Sequence, residues 1–205
     1  KVYQNLYDSF TCCVGTGMEN HIKYGEAIYF HDDEGVYVNL FIPSVVKWDK
    51  KGIVLKQESK FPYSGDIKFT VECDKPQNFI LKIRHPHWAQ GDLKVKVNGK
   101  NLSVKSSPST FAKIERIFKS GDVIEVSLPM SLRTESMPDN PNRIAIFYGP
   151  TLLAANLGAV DDPDANNPLY VPVILNNGKP VNEWVKPVSL EQLLFKTESV
   201  GKPRD

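Results

Sequence analysis

Residues 35–42 read Gly35-Val36-Tyr37-Val38-Asn39-Leu40-Phe41-Ile42, which is the most strand-like stretch of the chain. Aliphatic side chains occupy every second position from Val36 to Ile42, the period of a strand with one buried face. The preceding residues 32–35, Asp-Asp-Glu-Gly, have the composition of a turn, and Ala27–His31 is again strand-like. The stretch predicts a β-hairpin whose second strand buries Val36, Val38, Leu40 and Ile42.

Further strand-like runs follow at regular spacing. They are Ile53–Ser59, Ile67–Glu72, Phe79–Arg84, Val95–Val97, Phe111–Phe118, Val123–Leu128, Arg143–Tyr148 and Leu152–Ala155. Asn98-Gly99 is the strongest short signal for a tight hairpin. Because many short strands alternate with turns and helical periodicity is almost absent after residue 30, we predict a mainly β fold, an antiparallel β-sandwich or jelly roll.

Composition limits the classes of function. The 205 residues carry 25 Lys and Arg against 24 Asp and Glu, a net charge of +1, which is enough chain for a sizeable core. No basic run interleaved with aromatic residues predicts nucleic-acid binding, and no apolar stretch is long enough to cross a membrane. The chain begins at Lys1 without a signal peptide, so we expect it to be part of a longer polypeptide.

The N-terminal segment differs from the rest. Thr16-Gly17-Met18-Glu19 fits a capping box and predicts a short helix over residues 17–27. Just before it lie Cys12 and Cys13, which as neighbours are too close for an unstrained disulfide and are read as two free thiols. At a helix start they suit a nucleophile or a metal site; the alternative is two small buried side chains.

We predict three segments. Residues 1–30 form the end of a helical domain, residues 31–157 the β-sandwich, and residues 158–205 a loop-rich extension that is either a wrap or part of a second β domain. The extension contains Asp161-Asp162-Pro163-Asp164 and Asn166-Asn167-Pro168, which are loop material. Tyr170–Leu175 is a further strand candidate there, and Leu190–Phe195 a weak short element.

A series of motifs, in order along the chain, resembles the β-L-arabinofuranosidase superfamily, glycoside hydrolase family 127 and the related family 146. The motifs are Thr11–Asn20, Tyr29-Phe30, Val36–Pro43, Arg84–Trp88, Val97–Gly99, Gly121–Val123, Leu128–Met130 and Phe147–Ala154. The resemblance covers most of residues 1–158. It implies an (α/α)6 catalytic barrel followed by β-sandwich domains, of which this chain is the C-terminal portion: a short helix left over from the barrel, then the sandwich.

The resemblance also implies a retaining mechanism with a cysteine nucleophile. By position Cys12 is the nucleophile, and Cys12 and Cys13 are two zinc ligands; a third cysteine, a zinc-binding glutamate and an acid/base glutamate lie upstream in the family. Residues 1–11 contain neither glutamate nor cysteine. We therefore expect zinc in the full-length parent, none in this chain alone, and an inactive isolated chain. Asn20 and His21 are candidates for lining the sugar pocket.

Expected partners are the upstream barrel of the same polypeptide and plant-type arabinose-containing glycans, with no nucleic acid and no membrane. The compartment and oligomeric state stay open, although a periplasmic or secreted parent is favoured. The alternative function is a non-catalytic carbohydrate-binding or scaffolding module.

Some other residues suit either a site or a packing role. His85 and His87 are two apart and could share a metal if both lay on one strand face, although Pro86 suggests a strand end. Three tryptophans could stack on sugars but more often pack in cores: Trp48, Trp88 and Trp184. The acidic runs at 32–34 and 161–164 are read as solvated turns, and Cys73 as an inert thiol.

Overall fold

The computed structural model describes residues 11–156, 174–198 and 200, with side chains from residue 15 onward. Within these residues the fold is mainly β, as predicted. The chain divides into two compact units, one built from residues 1–61, 66–87 and 91–128 and the other from residues 62–65, 88–90 and 129–205. The predicted segment boundaries at residues 30 and 157 stay a prediction.

The first unit contains helix α1 (Thr11–Glu26) and ten strands. The strands are β1 (Tyr29–His31), β2 (Gly35–Val38), β3 (Ser44–Trp48), β4 (Ile53–Ser59), β5 (Asp66–Cys73), β6 (Gln77–His85), β7 (Lys94–Val97), β8 (Lys100–Leu102), β9 (Thr110–Phe118) and β10 (Val123–Ser127). They form a four-stranded sheet, ordered β1-β2-β6-β9, and a six-stranded sheet, ordered β3-β4-β5-β10-β7-β8. All pairings are antiparallel except β2 with β6, which run parallel.

The core of this unit comes from alternate positions of both sheets. Leu81 and Ile83 of β6 and Ile114 of β9 are at most 1% exposed in the smaller sheet, and Phe69 and Val71 of β5 are fully buried in the larger. Strand β5 shows the alternation most clearly, since Ile67, Phe69 and Val71 are buried while their neighbours are not. The period-2 pattern therefore specified which face of each strand is buried, and the β-sandwich prediction is confirmed.

The second unit contains shorter elements. They are β11 (Leu132–Ser136), β12 (Ile144–Tyr148), β13 (Thr151–Leu152), helix α2 (Val181–Trp184), β14 (Val185–Ser189) and β15 (Leu194–Thr197). Strands β11, β12 and β13 form an antiparallel sheet, and β14 pairs with β15 with an irregularity between Pro187 and Ser189. The proline cannot donate a ladder hydrogen bond, which accounts for a break at that position.

Both hairpins predicted from turn residues are present. The β1–β2 pair joins Tyr29 to Val38, and the β7–β8 pair joins Val97 to Lys100. Asn98 and Gly99, the central turn residues of the second hairpin, have φ values of 51° and 75°. Positive φ at both central positions is the conformation that an Asn-Gly hairpin requires.

The predicted start of the first helix is wrong. Helix α1 already includes Thr11, so Thr16 and Glu19 lie in its interior and cannot form a capping box at its end. The sequence signal misled because serine, threonine and glutamate also occur inside helices, where no end is available to cap. The helix ends at Glu26, close to the predicted end.

The alternation predicted through Ile42 also fails in its second half. Strand β2 ends at Val38, and beyond it Phe41 is 4% exposed whereas Ile42 is 38% exposed. The chain is no longer extended there, so the period-2 rule no longer decides which side chain points inward. Of the candidate strand Tyr170–Leu175, residues 170–173 lie outside the described residues; strand β15 begins at Leu194, near the end of the weak element predicted at 190–195.

Candidate functional site

Helix α1 carries all four site residues predicted from the sequence. Cys12 and Cys13 are the second and third residues of the helix, and their side chains lie outside the described part of the structure. Asn20 and His21 follow two turns later on the same helix. The structure thus places the backbone of all four residues on one element, and their chemical roles stay predictions.

Asn20 and His21 both contact Tyr24, one turn further along. The Asn20 side-chain amide donates to the Tyr24 hydroxyl at 2.9 Å, and the rings of His21 and Tyr24 meet edge to face with centroids 5.8 Å apart. These are the neighbours that helical spacings of three and four residues bring together. Tyr24 is therefore a third polar group at this place, one that the sequence interpretation missed.

Every described side chain of α1 is exposed to solvent in this chain. Met18 and Ile22, which the sequence assigned to an apolar face, are 68% and 77% exposed. A helix whose described side chains bury no face gains little from packing, and helices of this length are marginal on their own hydrogen bonds.

A second cluster lies on the outer face of the smaller sheet, around Lys82. The Lys82 side chain is only 2% exposed, and its ammonium donates to Asp32 at 2.5 Å and to the Tyr37 hydroxyl at 3.0 Å. Tyr37 also donates to Asp32, at 2.8 Å, and a carboxylate oxygen of Glu34 lies 3.7 Å from the ammonium. Parallel pairing of β2 with β6 sets Tyr37 opposite Lys82, which is why the three side chains meet.

The cluster is saturated with hydrogen bonds. Besides Lys82 and Tyr37, Asp32 accepts from the backbone amides of Glu34 and Gly35 at 3.0 and 2.8 Å. The Lys82 and Tyr37 hydrogen bonds hold the pKa of Asp32 well below its usual range. Burial by itself lowers the pKa of Lys82, but its hydrogen bonds with Asp32 and Tyr37 outweigh burial and raise that pKa above its ordinary value. Both carboxylate oxygens of Asp32 already accept hydrogen bonds, so protonation of Asp32 is unfavourable. The same hydrogen bonds hold the β1–β2 turn against β6.

The acidic turn at residues 32–34 was read as solvated. Asp32 has 39% of its side chain exposed, but it also forms an ion pair with Lys82 that the sequence reading did not include. One sequence signal pointed the other way: Lys82 interrupts the apolar run Phe79-Ile80-Leu81-Lys82-Ile83 in the middle of a long strand. A lysine at such a position needs a carboxylate from elsewhere in the chain. Which carboxylate supplies it depends on the β2–β6 pairing, and a pairing between distant strands cannot be read from one strand.

A small pocket lies on the same sheet, beyond the end of β2. It is about 310 Å³ in volume and is lined by six residues, Asn39, Arg84, His87, Ser109, Thr110 and Phe111, which we call the Arg84 pocket. The Arg84 guanidinium donates to the Asn39 side-chain oxygen at 3.2 Å, and the Asn39 amide donates to the backbone oxygen of Ala27 at 2.9 Å. Asn39 thus holds the guanidinium in place from the hairpin side.

The two histidines lie in different surroundings. Strand β6 ends at His85, which is fully buried and whose Nδ1 lies 2.8 Å from the Ser106 hydroxyl, whereas His87 is exposed in the Arg84 pocket. Pro86 ends the strand between them, as the sequence suggested. Across the described residues, no three His, Cys, Asp or Glu side chains are grouped so that they could hold a metal ion.

The tryptophans do not form sugar-stacking platforms. Trp48, Trp88 and Trp184 are 8%, 7% and 1% exposed, so each is a packing residue. Cys73, the free cysteine whose side chain is described, is partly buried beside the backbone oxygen of Phe118, and burial raises the pKa of its thiol. Within the described ranges no helix is long and apolar enough to span a membrane.

Comparison with known proteins identifies the sandwich. Residues 35–130 match the family described as the beta-L-arabinofuranosidase GH127 middle domain, a range that runs from β2 through β10. No protein with a curated description matches the chain.

Three solved structures are similar to the chain. A protein titled a glycoside hydrolase superposes with a TM-score of 0.65 at 26% identity, over 74% of this chain and 26% of its own. A GH127 beta-L-arabinofuranosidase from Geobacillus stearothermophilus T6 superposes with a TM-score of 0.65 at 23% identity. The superposition covers 74% of this chain and 25% of that one, and it shows a similar fold. A GH127 beta-arabinofuranosidase superposes with a TM-score of 0.54 at 30% identity, over 61% of this chain and 23% of its own.

The chain therefore spans about a quarter of the length of these solved structures. The resemblance predicted from the sequence motifs is confirmed over residues 35–130, where the β-sandwich is similar to the middle domain of GH127 beta-L-arabinofuranosidases.

Proposed function

We propose that this chain is part of a retaining β-L-arabinofuranosidase and that it supplies the nucleophile, Cys12, to a catalytic domain formed largely by other residues. The observation that carries the proposal is the match of residues 35–130 to the GH127 middle domain. The cysteine pair precedes this domain on a helix, in the order that the family resemblance implies.

The chemistry of a cysteine suits the proposed role, because the thiolate rather than the thiol is the nucleophilic form. A thiolate at Cys12 would attack the anomeric carbon, forming a carbon–sulfur bond as the glycosidic carbon–oxygen bond breaks. The leaving oxygen takes a proton from an acid outside this chain, and water then displaces the sulfur, with the same group acting as base.

The cysteine pair by itself does not complete a zinc site. Cys12 and Cys13 offer two thiolates, whereas a closed tetrahedral site needs four ligands. We propose that the remaining ligands and the acid/base come from the catalytic domain, and that the isolated chain neither retains zinc nor turns over arabinofuranosides.

The test is covalent labelling of the natural full-length polypeptide with a thiol-reactive arabinofuranose mimic, read out by intact mass and by zinc content. We expect one adduct in the unaltered protein and none in Cys12→Ala. Cys73→Ala is the matched control, since it removes a thiol outside the proposed site and should leave the adduct unchanged. Cys13→Ala should lower zinc content.

Two results would contradict the proposal. An adduct that persists in Cys12→Ala would place the nucleophile elsewhere. A folded full-length protein with neither adduct nor zinc would favour the non-catalytic carbohydrate-binding module instead. Turnover by the isolated 205-residue chain would refute the shared-site part of the proposal.

A further inference from the structure

The Arg84 pocket contains a positive charge that no described carboxylate neutralises. Arg84 is half-buried, and its one hydrogen bond among the described residues is to the neutral amide oxygen of Asn39. No carboxylate of the described residues lies within ion-pair distance of it. A guanidinium has five N–H donors in a planar fork, so most of its donors remain available in the pocket.

Lys82, on the same strand, is a cation with a structural role and can be compared with Arg84. Lys82 and Arg84 are two residues apart on β6, and their side chains share the outer face of the sheet. Lys82 meets the carboxylates of Asp32 and Glu34 as well as the Tyr37 hydroxyl. Arg84 meets no carboxylate, although burying a cation without a counter-ion is unfavourable. The difference indicates that the counter-ion of Arg84 comes from outside the described residues.

The other lining residues of the Arg84 pocket indicate which chemical groups its ligand has besides a negative charge. The Ser109 hydroxyl and the His87 ring are groups that exchange hydrogen bonds with sugar hydroxyls. The Thr110 hydroxyl already donates to the Ser107 backbone oxygen at 2.6 Å and accepts from the Ser107 amide at 3.2 Å. Phe111 adds an aromatic ring, held edge to face against Tyr37 with centroids 5.1 Å apart. The volume of about 310 Å³ is at the small end of ligand pockets. Arginine binds carboxylates through two parallel hydrogen bonds.

From these features we infer that the Arg84 pocket binds the carboxylate of an acidic sugar unit, a uronate, with its hydroxyls toward Ser109 and His87. The pocket would act as a carbohydrate-binding site of the sandwich. The inference does not rest on Cys12, zinc or turnover, because none of the six pocket residues lies on helix α1.

The experiment is a titration of the ¹⁵N-labelled chain with sodium glucuronate, followed by amide and Arg84 Nε–H chemical shifts, with glucose as the uncharged reference. We expect glucuronate to shift Arg84, Ser109 and Thr110, and glucose to leave them unchanged at equal concentration. Arg84→Gln should weaken binding by about tenfold or more, since it removes a charge-assisted hydrogen-bond pair.

Two further variants make the result specific. His87→Ala changes an exposed pocket residue and should also weaken binding, which covers the case in which Arg84→Gln disturbs the fold. Lys113→Gln removes an exposed charge opposite Lys82 on β9, outside the pocket lining, and should bind glucuronate as the unaltered chain does.

The inference is overturned by any of three results. Glucuronate and glucose could shift the same amides equally, which would remove the role of the carboxylate. Arg84→Gln could bind as tightly as the unaltered chain. A short aspartate-containing peptide could shift the pocket amides while glucuronate does not, which would make the pocket a docking site for a protein carboxylate.

Discussion

Asp32 is the residue on which the Lys82 cluster depends. It accepts hydrogen bonds from two side chains and two backbone amides, and its pKa lies well below the ordinary value of 3.8. A carboxyl whose folded-state pKa is depressed stabilises the fold above its unfolded pKa and loses that contribution as the pH falls through the folded value. Lys82, with a raised pKa, contributes fully below about 10.5 and loses its contribution above that range.

We predict that Asp32→Asn lowers the thermal midpoint at pH 7, because the buried ammonium of Lys82 then lacks its nearest carboxylate. The difference from the unaltered chain should shrink between pH 4 and pH 2, since the unaltered chain loses the Asp32 contribution in acid and the variant has none to lose. Thermal unfolding followed by circular dichroism over this pH range measures both effects. Asp33→Asn changes the exposed neighbour and should have the same thermal midpoint as the unaltered chain at each pH. A difference between Asp32→Asn and the unaltered chain that stays constant at all pH values would contradict the role of the Asp32 carboxylate.

At the scale of elements, the pairing of β2 with β6 depends on Gly35. A Cβ built on Gly35 would lie 2.0 Å from the backbone oxygen of Ile80, and that oxygen belongs to the neighbouring strand and cannot move aside. This glycine is needed for close approach of two backbones rather than for an unusual φ.

We predict that Gly35→Ala lowers the free energy of unfolding by about 1–3 kcal/mol or more, because the two strands must separate to admit a methyl group. Urea denaturation monitored by tryptophan fluorescence gives the value. Gly25→Ala is the matched control: nothing lies within 4 Å of its Cβ position, and it lies in a helix. Gly25→Ala should raise the helical circular-dichroism signal and leave the urea midpoint of the sandwich unchanged. Equal urea midpoints for Gly25→Ala and Gly35→Ala would contradict the prediction, because they would show that β2 and β6 admit the methyl group at little cost.

Long strands with a clear alternation were predictable, and so was β12, whose burial does not alternate but which was predicted as Arg143–Tyr148 and found at Ile144–Tyr148. Strands β4, β5, β6, β9 and β10 were predicted to within two residues at each end because one face of each is buried. Strand β3 was missed because its valines are not both inward: Val45 is 55% exposed in a strand at the sheet edge. The Arg84 pocket was missed for a different reason, since it joins residues of β6 and β9 with Asn39, which follows β2, and the pairing of β6 with its neighbours is invisible in any single segment.

At the scale of the whole molecule, stability is distributed unevenly within the first unit. Its core residues are almost fully buried, whereas the described side chains of α1 are all exposed. Local opening of a segment costs little when few apolar contacts hold it closed. We therefore expect the helix bearing Cys12 and Cys13 to open more readily than the strands of the core.

We predict that amide hydrogens of α1 exchange rapidly in the isolated chain, while those of β6 and β9 exchange only on global unfolding. Hydrogen–deuterium exchange with peptide-level mass spectrometry compares them directly. A Gly17→Ala, Gly25→Ala double variant should slow exchange in α1 and leave β6 unchanged. Protection of α1 equal to that of β6 would mean that the helix is packed against other parts of the isolated chain.

The order of strands in the larger sheet has a consequence for synthesis. Strand β10 lies between β5 and β7, so the last strand to be made occupies an interior position of the sheet. Until residue 127 has left the ribosome, β5 and β7 each present an unpaired edge to other nascent chains. The interval in which this protein is vulnerable to misassembly therefore spans the synthesis of β6 through β10, and a translational pause placed there would lengthen it.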